Sequence, residues 1–106
     1  MSLQSFEAIL KTADPNASHY FGADTGNYTV WFEYGDEADG ADDKRDKLFD
    51  RIQISHFTNI EYSPMKDAIS AALDNGGIPY RYNCWAEKDD QTGARWIHHI
   101  WDCEVP

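Results

Sequence analysis

The sequence predicts an α+β fold: an antiparallel sheet of about four strands with two packed helices, in the order helix, strand, strand, helix, strand, strand. Three observations carry that expectation. Apolar residues recur at helical spacing in two segments, one at the start of the chain and one over residues 63–76. Other segments alternate side by side at the period of a strand. These strands follow one another through reversals, without the strand-helix-strand rhythm that marks a parallel sheet. At 106 residues, 42% hydrophobic and 14% aromatic, the chain suits a single domain spanning residues 1–106 with one core.

In the first helix Leu3, Phe6, Ile9, Leu10 and Ala13 share a face, Ser2 can cap the start and Asp14-Pro15 ends the pattern. The stretch from Pro15 to Asn27, rich in Asn, Ser, Gly and Asp, reads as a connecting loop. A strand follows in NYTVWFEYGD, where Tyr28, Val30, Phe32 and Tyr34 alternate with Thr29, Trp31 and Glu33. Aromatics on both of its faces suggest a central strand, or a second face covered by a partner chain. Residues 35–47 hold six carboxylates and three basic groups around Asp39-Gly40, and so read as a long, mobile acidic loop. Its string DEADGADD lacks the alternation and closing Glu of a calcium loop.

The segment KLFDRIQISHFT forms the second strand, with Ile52 and Ile54 facing the core and Arg51, Gln53 and Ser55 facing away. The second helix has the clearest local signal: Ser63 as cap, Pro64 at the first position, Gly76 past the end, and a stripe of Met65, Ala68, Ile69, Ala72 and Leu73. IPYRYNCWAEKD and ARWIHHIWDCEV then form an antiparallel hairpin, turning at Asp89–Gly93 with Gly93 in the left-handed position.

Composition excludes several functions. Nineteen acidic against nine basic residues give a net charge of −10, which opposes binding to phosphate backbones and anionic membranes. No apolar run approaches the ~20 residues of a membrane span, and no signal-peptide pattern opens the chain, so the expected compartment is a cytoplasm. There Cys84 and Cys103 are expected to be reduced, partly buried thiols. His19, His56, His98 and His99 show no spacing with them that preforms a metal site, and no nucleophile elbow, phosphate-binding glycine loop or paired-carboxylate site is present. The expectation is no enzyme, no cofactor and no metal. The acidity itself fits plain solubility, a surface that repels DNA, or a surface that meets a basic partner.

An aromatic excess remains. Trp31, Trp85, Trp96 and Trp101 stand with several tyrosines, mostly on strands, and a domain of this size can hardly bury them all. Trp and Tyr are enriched at protein interfaces, so Trp31, Tyr34, Trp85, Trp96 and Trp101 are the candidate contact surface. Asp36, Glu37, Asp39, Asp42 and Asp43 are the candidate functional acids of the loop.

Four segments carry a resemblance: YTVWFEYGDE, RIQISHFT, the SPMKDAISAALDNGG helix, and the EKDDQTGARWIHHIWDCEV hairpin. In this order they resemble the tail-completion, or tail-terminator, proteins of long-tailed bacteriophages and prophages, over about Tyr28 to Val105. The resemblance implies an α+β structural subunit whose copies form a ring, typically six, capping the head-proximal end of the tail tube. Its implied partners are further copies of itself, tail-tube proteins and the head connector, in the host cytoplasm during assembly and then in the virion tail. It implies no enzyme activity and no cofactor, and offers no catalytic residues. Two alternatives stand beside it: another phage neck protein, or an acidic binding module such as an immunity protein, an antitoxin or a DNA mimic.

Overall fold

The computed structural model describes residues 1–22, 26–39 and 46–106. Helix α1, Leu3–Ala13, leads through a two-residue strand β1, Ser18–His19, into the long strands β2, Tyr28–Asp39, and β3, Asp46–Thr58. Helix α2, Pro64–Asn75, comes next, and the chain closes on β4, Tyr80–Lys88, and β5, Arg95–Val105. The class is α+β with two helices. The sheet has five strands rather than about four, in the order β1-β2-β3-β5-β4, and it is mixed, because β1 pairs parallel with β2.

The extra strand lies where the sequence suggested only a loop. A turn at Asp14, whose carboxylate accepts from the Asn16 N–H at 3.0 Å, brings the chain alongside β2. Ser18 and His19 then align with Val30 and Trp31, and the Tyr20 N–H donates to the Trp31 carbonyl at 2.8 Å. Two residues are too few to show any alternation.

Both helices carry the caps their sequences promise. The Ser2 hydroxyl accepts from the Ser5 N–H, and the Ser63 hydroxyl accepts from the Met65 N–H with Pro64 opening α2. The left-handed residue closing α2 is Gly77, at φ 67°, one position later than Gly76. Ile78 N–H then reaches back to the Leu73 carbonyl and Gly77 N–H to that of Asp74, which ties off the helix and turns Ile78 into the core. The β4–β5 turn follows expectation, with Gly93 at φ 72° and the Asp89 carboxylate accepting from the N–H groups of Gln91 and Thr92.

Residues 35–47, expected as a mobile loop, are strand at both ends: Gly35–Asp39 belongs to β2 and Asp46–Lys47 to β3. Charge composition suggested a loop, but backbone groups decide a ladder, and here each strand satisfies the other's. The register runs from Tyr28↔Phe57 to Asp39↔Asp46 with irregularities at Glu33/Gly35 and Glu37/Ala38. The Arg51 guanidinium also donates to Glu37 Oε1 across the pair, at 3.0 Å from Nε and 2.6 Å from Nη2. Val105, the end of β5, pairs with Asp50, so the rest of the β2–β3 hairpin extends beyond the three-stranded part of the sheet.

Both helices lie on one face of the sheet. Phe6 and Leu10 of α1, Ile69 and Leu73 of α2, and Trp31, Ile52, Ile54, Trp101, Cys103 and Val105 of the sheet form one buried cluster. Phe6 meets Trp31 edge-on at 5.2 Å, and the Trp101 indole N–H donates to the Ser70 hydroxyl at 3.1 Å. Ile52 and Ile54 face the α2 stripe as their alternation requires, with Met65 partly buried at its edge. Ile69 and Leu73 are both fully buried in this cluster, so Ile69→Ala or Leu73→Ala should lower the unfolding free energy by ~2–5 kcal/mol in urea titrations. Changes near zero for both would reject this packing.

Candidate functional site

Among the described residues no helix lies over the opposite face of the sheet. Strand parity assigns its residues: Tyr28, Val30 and Phe32 on β2; Arg51, Gln53, Ser55 and Phe57 on β3; Trp96, His98, Ile100 and Asp102 on β5; Arg81, Asn83, Trp85 and Glu87 on β4. Registers align these into rows across four strands. One row is aromatic throughout: Tyr28 stacks on Phe57 at 4.9 Å, Phe57 on His98 at 4.0 Å, and His98 meets Trp85 edge-on at 4.6 Å. Glu87 pins the end of this row, its two carboxylate oxygens accepting from the indole N–H groups of Trp85 at 2.7 Å and Trp96 at 2.9 Å. Further along the face, Phe32, Tyr34, Arg51, Arg81 and Asp102 border a depression of about 550 Å³. There Gln53 donates to Asp102 at 3.3 Å.

The five candidate aromatics divide between the faces. Trp31 and Trp101 are core residues, each at most 1% exposed, so their assignment to a contact surface is corrected. They occupy the strand parity that meets the helices. Tyr34 is 49% exposed and Trp85 44%, while Trp96 is partly buried on the open face. Tyr34 sits where the β2–β3 register shifts, which frees its side chain from the ladder. Glu37 first, and then Tyr34, hydrogen-bond the Arg51 guanidinium and hold it charged. Tyr28, Phe57 and His98 belong to the same surface and were not singled out from the sequence. Counting in twos along β3 from Arg51 and Gln53 would have found Phe57.

Of the acidic candidates, Asp36 and Glu37 lie on β2 and Glu37 pairs with Arg51. Asp39 is on β2 as well, while Asp42 and Asp43 lie outside the described residues.

A second polar cluster sits on the helix-covered face. Thr29, His56, His99 and Cys84 occupy one row across β2, β3, β5 and β4. The Thr29 hydroxyl and His56 Nδ1 share a hydrogen bond of 2.9 Å, and the Tyr82 hydroxyl and His99 Nδ1 one of 2.6 Å. The two imidazoles are 6.0 Å apart, and among the described residues Nε2 of each is buried without a hydrogen-bond partner. Burial pushes the Cys103 thiol up to about 12, which leaves it protonated and unreactive. Cys84 is exposed, contrary to its expected partial burial. Among the described residues no three His, Cys, Asp or Glu side chains are grouped to hold a metal ion.

A third cluster lies at the β1 edge. His19 stacks between Trp31 at 3.9 Å and Tyr20 at 4.0 Å, with Tyr20 in the left-handed backbone region at φ 69°. The Tyr20 hydroxyl and His19 Nε2 both bond the Glu33 carboxylate. Burial alone would raise the Glu33 carboxyl, but these two hydrogen bonds outweigh it and hold the group below its usual range.

Among the described residues no helix is long and apolar enough to cross a membrane. Compared with protein-family models, curated proteins and solved structures, the chain matches none.

The histidines define a pH dependence. Burial lowers the pKa of His56, His98 and His99; the neighbouring His99 adds to the effect at His56, and Lys66 adds to it at His99. A depressed folded pKa means that the unfolded chain binds more protons as pH falls. The stabilisation is therefore complete above the unfolded value of ~6.5 and is lost as pH drops below it through the folded values. Urea titrations should show lower stability at pH 5.5 than at pH 7.5, with a smaller difference in His56→Gln. A profile flat across this window would contradict the burial of neutral imidazoles.

Proposed function

We propose that this chain is a non-catalytic structural subunit that docks other protein chains on the open face of its sheet. We further propose that it acts as a tail-completion subunit of a long-tailed phage or prophage. In this reading its copies form a ring at the head-proximal end of the tail tube and meet the tail-tube and head-connector proteins. It assembles in the host cytoplasm and ends in the virion tail.

The observation that carries the docking reading is the four-strand aromatic row Tyr28–Phe57–His98–Trp85 on a face that no helix of the described residues covers. A sheet needs one face buried to fold, and this sheet has that in the helix layer. Large aromatic area on the second face adds little that folding requires, and flat aromatic surfaces with a polar border are what protein partners use. The resemblance of the four segments supports the narrower reading. The net charge of −10 also suits a ring through which DNA passes, since a lumen of like charge repels phosphates.

The same acidity fits an acidic module that binds one basic protein, and stoichiometry separates the two readings. Light scattering and electron microscopy of the purified chain should show closed rings that bind the ends of phage tail tubes. Trp85→Ala should keep the fold, with a stability loss of ~1 kcal/mol from the ring contact with His98, and yet abolish binding to the tube or connector. A one-to-one complex with a basic protein and no ring would sink the tail-completion reading.

A further inference from the structure

We infer that two copies of this chain pair through the free edge of β4, antiparallel and centred on Cys84, and so join their sheets into one. The contact closes at two copies. It is therefore not the contact that repeats around a ring, and it stands independently of the ring reading above.

β4 ends the sheet, and among the described residues no strand lies beyond it. Asn83 to Lys88 are all exposed, and the strand runs without a Pro or a break in its register against β5. The Glu104 N–H donates to the Pro79 carbonyl, and the Asp89 N–H to the Ala94 carbonyl. In an antiparallel ladder these bonds fix the odd-numbered residues of β4 as the ones whose N–H and C=O face β5. Tyr80, Tyr82, Cys84, Ala86 and Lys88 therefore turn theirs outward. Such a row of outward donors and acceptors takes up an extended strand.

Parity, length and charge select a second β4, and they agree on one register. An outward residue must meet an outward residue, which an antiparallel copy satisfies whenever even numbers face even numbers. Of these registers, the one centred on Cys84 pairs all nine residues of the strand, with Tyr82 opposite Ala86 and Tyr80 opposite Lys88. It also sets Arg81 of each copy opposite Glu87 of the other, because the two stand equally far from Cys84 on either side. An edge with opposite charges placed symmetrically about its centre is complementary to itself. Parallel pairing in register would set Arg81 on Arg81 and Glu87 on Glu87, and like charges across a ladder destabilise it. Among the described residues neither side chain is held in an ion pair: Asp102, opposite Arg81 on β5, accepts from Gln53, and Glu87 accepts from the neutral indoles of Trp85 and Trp96.

The join also extends the open face. A two-fold axis perpendicular to the sheet keeps helix side with helix side, so the aromatic faces of both copies become one surface. Trp85, the outer end of the aromatic row and 44% exposed, meets Asn83 of the second copy and lies diagonal to that copy's Trp85, a distance aromatic side chains can span. The two rows then run together across the join. On the other side the exposed Cys84 thiols face each other, with their Cα atoms at ~5.5 Å, the spacing of a hydrogen-bonded pair and within the range of a disulfide.

The test combines light scattering on the purified full chain with oxidation by diamide, which takes the hydrogens of two thiols as the disulfide forms. The wild type should pair, and diamide should link the copies through Cys84, since Cys103 is buried. Ala86→Pro removes an outward N–H and leaves the ladder to β5 intact, so it should stay folded by circular dichroism while losing both the pairing and the link. Arg81→Glu and Glu87→Lys should each raise the dissociation constant of the pair about tenfold. An equimolar mixture of these two variants should restore it, since each Glu or Lys then meets its opposite in the other copy. A wild type without pairing, an Ala86→Pro chain that pairs and links as well as the wild type, or a mixture that restores nothing overturns the contact. Closed rings whose Cys84 thiols stay reduced in diamide leave the ring reading standing and this contact wrong; a Cys84-linked pair that forms no ring does the reverse.

Discussion

Trp31, Ile54 and Trp101 stand side by side on three neighbouring strands, with Tyr82 next in line on β4. This row faces the helices, and most of the architecture depends on its register. Side chains alternate with a period of two, so a slip of one residue between β2 and β3 would turn Trp31 out and bring Val30 or Phe32 in. The helices would then meet a surface of the wrong shape, and Trp31 would lose its contact with Phe6. Burying two indoles on one face thus holds the register of β2, β3 and β5, and it decides at the same stroke which residues the other face displays.

That second face is a by-product of the first only in position. Its composition is not what a solvent-washed sheet requires, because a row of four rings crosses it where alternating charge would serve solubility better. Two short helices are enough to cover one side of a sheet this wide, and no other element of the described chain covers the second. Among the described residues the same economy leaves no strand beyond β4 and none beyond the short reach of β1. A small subunit that finishes its own core on one side and leaves surface and edges for neighbours is suited to assembly.

Much of this was legible in the sequence, though unevenly. The helices were readable because stripe, cap and stop signals agree at Ser2, Ser63, Pro64 and the Gly76-Gly77 pair. The β4–β5 turn was readable because only Gly93 there tolerates its φ. β1 was hidden because two residues carry no period, and its parallel pairing depends on a contact between distant segments. The strand character of residues 35–39 was hidden by composition: Asp and Gly argue for a loop, while pairing with β3 and the Arg51–Glu37 bond argue otherwise, and only the second argument involves a partner strand. The four tryptophans could not be sorted into core and surface by residue type. Parity sorts them, and parity needs the register.

The two hairpins point opposite ways: the described part of β2–β3 ends at the pair Asp39 and Asp46 at one end of the sheet, and β4–β5 turns at Asp89–Gly93 at the other. A pull applied between these ends acts along the strands. It loads the nine register pairs of the β3–β5 ladder together, in shear, instead of peeling them one after another. Unzipping breaks bonds in sequence at low force, whereas shearing must break many at once. Held by its two hairpins, the chain would behave as a short, stiff tie, able to bear axial tension without yielding at its weakest bond.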